Sequence, residues 1–232
     1  MALITETLSF PSGNRQLSGF LARPEGEGPF PGLIVIHEIF GLQENIKRCA
    51  QRFAEAGYAA LAVDLFAGRN RTACMFSLMS GLAFNSLNHQ GIRDLKASLN
   101  FLETQTYVDD ARLGAVGYCL GGSLAIAWAC TDNRLKAIAP YYAMNPKPQE
   151  ALARLCPVVG SYPEKDFTSK PGQQLDLALD KHGIVHDVKI YPGAKHSFVN
   201  DDRGNYNRDV AEDSWDRVLA FFSEHVTSVT TA

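Results

Sequence analysis

The chain has 232 residues, 46% hydrophobic and 20% charged, with 22 Lys+Arg against 25 Asp+Glu for a formal net charge of −3. That balance excludes a long disordered chain, and a near-neutral sequence with no basic run offers no footing for a nucleic-acid partner or a polybasic membrane contact. At a prior of about 150 residues per domain, the length admits one large α/β domain or two small ones.

No internal repeat or low-complexity linker divides the sequence, so residues 1–232 read as a single domain. The opening MALITETLSFPSGNRQ lacks a basic leader, and no stretch reaches the ~18 continuous apolar residues of a membrane span. Five cysteines cannot all pair within the chain, and none falls in a CxxC or zinc-finger spacing. The expectation is a cytoplasmic protein with free thiols, no metal and no organic cofactor, acting as a monomer or small homo-oligomer on a small-molecule substrate.

In chain order, Thr5–Phe10 and Leu17–Arg23 flank the turn cluster Pro11-Ser12-Gly13-Asn14 and read as a hairpin. Gly32–Ile36 is a continuous apolar run, the pattern of a strand buried on both faces. Residues 44–56 form an amphipathic helix closed by Gly57, and 59–63 the next strand. The stretch Cys74–His89 is either an apolar cap or an ordinary packing helix, with packing preferred. Helices are expected over 90–103, 120–130, 172–182 and 207–225, with strands at 113–116, 137–139, 156–160 and 186–191. The last residues, 227–232, read as a frayed tail. This alternation predicts an α/β fold: a mainly parallel, open twisted sheet with helices on both faces and an antiparallel N-terminal edge.

The chemistry concentrates at strand ends. Gly117-Tyr118-Cys119-Leu120-Gly121-Gly122 lies between a strand and a helix and has the G-x-C-x-G form of a nucleophile elbow. Free N–H groups and the dipole at the helix start favour a thiolate there. A nucleophile needs a base held by a third group, and in this architecture the chain order is nucleophile, acid, histidine. Asp166 and His196 supply that order, with Glu164 the rival acid nearer its strand end. Backbone N–H groups of Ile39 and Leu120 are the expected oxyanion hole. Glu38 could accept the Cys119 proton or pair with an arginine. His37 reads as packing beneath the next loop, and His89 and His225 as solvent-facing helix residues.

Taken together, His37-Glu38-Ile39-Phe40-Gly41-Leu42, Asp64-Leu65-Phe66, the Cys119 elbow, Asp166 and Lys195-His196-Ser197-Phe198 make the chain resemble the dienelactone hydrolase family of the α/β-hydrolase superfamily. The resemblance implies a Cys119–Asp166–His196 triad, a Glu38 that contacts the thiol and helps to generate the thiolate, and hydrolysis of esters or lactones without a cofactor. Family enzymes acting on dienelactone hold its carboxylate with arginines, and the candidates here are Arg69, Arg71 and Arg203. Tyr142 and Ser197 complete the candidate substrate contacts. The rival readings are a thiol redox sensor and a non-catalytic small-molecule binder on a hydrolase fold.

Overall fold

The structure is a computed structural model and describes residues 2–228. Most of the tail expected to fray therefore lies outside the described residues. Eight strands build one sheet: β1 (Leu3–Ser12), β2 (Arg15–Pro24), β3 (Phe30–Ile36), β4 (Ala59–Asp64), β5 (Val108–Tyr118), β6 (Leu135–Tyr141), β7 (Val158–Pro163) and β8 (His186–Tyr191). Their spatial order is β1-β2-β4-β3-β5-β6-β7-β8. β1 and β2 form the expected antiparallel hairpin, β2 runs antiparallel to β4, and every later pairing is parallel.

Helices α1 (Glu44–Glu55), α2 (Arg71–Phe84), α3 (Gln90–Glu103), α4 (Leu120–Ala129), α5 (Ser169–His182) and α6 (Arg208–Phe222) cover the two faces. The apolar run of β3 has a simple cause. Its side chains alternate between the faces, and both are buried. Ile34 and Ile36 join the cluster under α2, α3, α4 and α5, which includes Leu78, Leu95, Leu124 and Leu175. Leu33 and Val35 join the cluster under α1 and α6, which includes Phe53, Val218 and Phe222. All ten residues of α4 are buried, so this helix is apolar on every side and lies in the middle of its layer.

The Cys74–His89 stretch is mostly helix α2, in line with the preferred reading, and the helix starts at Arg71, where Asn70 caps it by accepting the Ala73 N–H. Two expectations change. His89 does not face solvent: it is buried and caps α3 by accepting the Gly91 N–H at 3.1 Å. α6 stops at Phe222 and its last turn widens into a π-type turn over Ser223–Thr227.

Sheet order also places the site. β3 lies between β4 and β5, so the winding direction reverses there, and crevices form beyond the C-terminal strand ends at such a point. Ile36 pairs with Gly117, which sets the loop after β3 beside the turn after β5.

Candidate active site

Cys119 stands between β5 and α4 at φ 55° and ψ −113°, outside the comfortable regions for a side-chain-bearing residue. The surrounding backbone makes that turn possible. A Cβ on Gly117 would strike the Gly121 carbonyl, and one on Gly121 would come within 2.6 Å of the His37 carbonyl oxygen. Only hydrogen fits where strand, helix and the loop after β3 meet.

The thiol is largely buried, and burial is the first cause that pushes it up to about 12; the Glu38 and Asp166 carboxylates push the same way. The Leu120 N–H opposes them. The expected helix-start preference for a thiolate is present as that N–H contact, but desolvation and two nearby negative charges outweigh it. Cys119 is therefore a neutral thiol at rest.

Asp166 follows β7 and His196 follows β8, and the two meet through a hydrogen bond between Asp166 Oδ2 and His196 Nδ1. The Thr168 hydroxyl donates to the same carboxylate oxygen at 3.0 Å. The Asp166 side chain is almost wholly buried, so the imidazole has a fixed partner away from water. Phe167 stacks on the imidazole at 5.2 Å between centroids and 19° between planes, and Tyr142 tilts against it at 4.8 Å. Glu164, the rival acid, instead accepts the Gly193 N–H at 2.9 Å.

Glu38 is almost wholly buried. One carboxylate oxygen accepts from the Ser197 hydroxyl at 2.7 Å and the other from the Asn200 amide at 2.8 Å. Ser197 is thereby a holder of Glu38 and not a wall of the cavity beside Cys119. Asn200 carried no motif signal; only the fold shows that its amide completes the clamp. His37 is fully buried beneath the loop, as expected. Its Nε2 accepts the Leu65 N–H at 3.2 Å and its Nδ1 donates to the Glu38 carbonyl at 2.5 Å, so the neutral imidazole ties the loop after β3 to the loop after β4. Burial lowers its pKa.

A cavity of about 330 Å³ opens beside Cys119. Ile39 and Leu120, the expected oxyanion-hole residues, both line it, as does Tyr142. Met79, Leu82 and Ala83 of α2 form part of its wall, so this helix does more than pack on the body. A second cavity, about 430 Å³, lies behind Glu38 and shares Tyr142 with the first. The three candidate arginines sit elsewhere. Arg69 donates to the Phe66 and Leu65 carbonyls and borders a separate cavity near Asp94. Arg71 donates to the Phe40 carbonyl, and the Arg203 guanidinium lies 3.9 Å from the centroid of the Phe40 ring.

Among the described residues, no group of three His, Cys, Asp or Glu side chains is placed to hold a metal ion, and no helix is long and apolar enough to cross a membrane.

A strained elbow at a strand–helix junction, an acid–histidine pair on the two following strand ends and this sheet order define an α/β-hydrolase. More narrowly, residues 17–226 match the dienelactone hydrolase family, and the chain belongs to it. A Saccharolobus solfataricus protein, provisionally named a carboxymethylenebutenolidase, is 32% identical over 91% of this chain and 95% of its own length. The crystal structure of a protein from Klebsiella pneumoniae, provisionally titled a dienelactone hydrolase, superposes with a TM-score of 0.85 at 29% identity, covering 97% of this chain and all of that one. An esterase from Pyrobaculum calidifontis shares the fold at a TM-score of 0.73 and 16% identity, over 96% of this chain and 86% of its own.

Proposed function

We propose that this chain hydrolyses small activated esters and lactones through a Cys119–His196–Asp166 triad and a thioester intermediate. The observation that carries this reading is the strained Cys119 apex facing a cavity, with a buried Asp166 holding His196. The first step forms the Cys119 sulfur–carbon bond while Glu38 takes the thiol proton. The oxyanion is held by the Ile39 and Leu120 N–H groups, where one donor is worth on the order of 10²–10³ in rate. The carbon–oxygen bond then breaks, and the proton ends on the leaving oxygen. In the second step His196 takes a proton from water, hydroxide attacks the thioester, and the departing thiolate recovers that proton.

A thioester route suits aryl and enol leaving groups, which are expelled more readily than the thiolate. A buried thiol pushed up to about 12 also weighs against the redox-sensor reading, which needs an exposed thiolate.

The test is p-nitrophenyl acetate turnover with intact-protein mass spectrometry under rapid quench. Cys119→Ala should be inactive, Cys119→Ser should retain little activity, and the wild type should carry a transient acetyl mass on Cys119. Full activity in Cys119→Ala would overturn the reading.

A further inference from the structure

The cavity beside Cys119 has a distinctive charge pattern. Apolar side chains such as Ile39, Leu82 and Phe167 dominate its wall. Lys147 is the one charged side chain among the lining residues, and it is exposed to solvent. Arg71, which donates to the Phe40 carbonyl, and Arg203, which lies over the Phe40 ring, are not among the residues that line the cavity. The fixed charges felt by the thiol are both negative, from Glu38 and Asp166. Glu38 is held by two neutral donors, Ser197 and Asn200, so its buried charge meets no cation there. Asn145 Oδ1, buried without a hydrogen-bond partner, offers the cavity a further acceptor, and the Tyr142 hydroxyl, likewise buried and unpartnered, offers a neutral donor.

We propose that this site takes neutral, apolar esters and lactones and discriminates against carboxylate-bearing ones. The proposal rests on the ester-hydrolase reading above and names its substrate class. A carboxylate entering the cavity loses its hydration, meets two carboxylates near the reacting carbon and finds no buried cation in exchange; the unpartnered Tyr142 hydroxyl is a neutral donor that serves an ester carbonyl as readily. A neutral acyl chain loses only contact with water and gains contact with the wall.

The experiment compares p-nitrophenyl hexanoate with the p-nitrophenyl monoester of adipic acid, two chains of matched length that differ by methyl against carboxylate. We expect kcat/KM on the order of 100-fold higher for the neutral ester at 0.15 M salt. Ratios within about threefold, or a preference for the monoester, overturn the proposal. A selective loss of monoester turnover in Lys147→Ala also counts against it, because Lys147 would then be capturing the anion. Met79→Arg, on a half-exposed wall position, should raise the monoester's relative kcat/KM by on the order of tenfold; an unchanged ratio overturns the electrostatic account.

If neither ester turns over, the hydrolase reading fails, and calorimetric binding of hexananilide and of the matching adipic half-anilide decides the charge question. Tighter hexananilide binding supports the proposal. Equal or weaker hexananilide binding, or none, overturns it.

Discussion

Replacing Glu38 by glutamine should make Cys119 more acidic and faster to alkylate. Glu38 is the second largest cause, after burial, of the rise that takes this thiol to about 12. At pH 8 such a thiol is about one part in 10⁴ thiolate, against roughly one part in four for an unperturbed cysteine near 8.5. Electrophiles react with the thiolate alone, so wild-type alkylation at pH 8 should be slower by about three orders of magnitude than that of a free thiol of equal access. Removing the negative charge of Glu38 stabilises the thiolate, so the midpoint falls. A drop of one unit would raise the pH 8 rate about tenfold, equivalent to 1.4 kcal/mol. The amide of glutamine keeps an acceptor for Ser197, so the local shape is preserved better than in Glu38→Ala. The assay is the pH dependence of iodoacetamide incorporation at Cys119, read by peptide mass, with thiolate absorbance as the second probe. A wild-type midpoint near 8.5, or a Glu38→Gln midpoint at or above the wild type, would refute the electrostatic account. Ester turnover in the same variant should fall, because the group proposed to take the thiol proton is gone.

Two further outcomes follow from the geometry. Phe167 is exposed yet stacks on the His196 imidazole. Phe167→Ala should leave the thermal midpoint nearly unchanged and lower kcat/KM by about 2- to 10-fold, the worth of a ~0.5–1.5 kcal/mol aromatic contact; a full-activity variant would contradict this. Acid should weaken the fold through His37. Its folded pKa lies below the unfolded ~6.5, so the stability it contributes is present above pH 6.5 and is lost as pH falls through the folded value. The lowered His89 adds a second such group. Unfolding free energies from urea titrations should decline from pH 6.5 to 5.5, by up to about 1 kcal/mol per group, and a flat profile would rule this out.

Much of the fold was legible in residue patterns. The elbow, the two strand ends that carry Asp166 and His196, and the helix at 90–103 all have strong local signals, because periodicity and glycine placement answer to nearby backbone. α2 was less clear. Its apolar residues serve two purposes, with Cys74 and Leu78 buried and Met79 and Leu82 lining a cavity, so no single helical stripe emerges. His89 was misjudged because helix membership suggested solvent, whereas its ring caps the helix from inside. The thiol's protonation was hidden for a deeper reason. A helix start is visible in sequence, but burial and the distance to Glu38 and Asp166 exist only after the chain has folded. The Asn200 half of the Glu38 clamp, 162 residues away, has the same origin.

The collision-free glycines of the elbow also bear on how this protein can change over generations. Substitution at Gly117, Gly121 or Gly122 drives a side chain into main-chain atoms, which cannot step aside as a flexible neighbour can. Met79 and Met144, about half exposed on the cavity wall, face no such barrier. Drift can therefore rewrite what enters the cavity one mutation at a time while the turn that presents the sulfur stays frozen. Descendants of this chain should differ first in diet and last in chemistry.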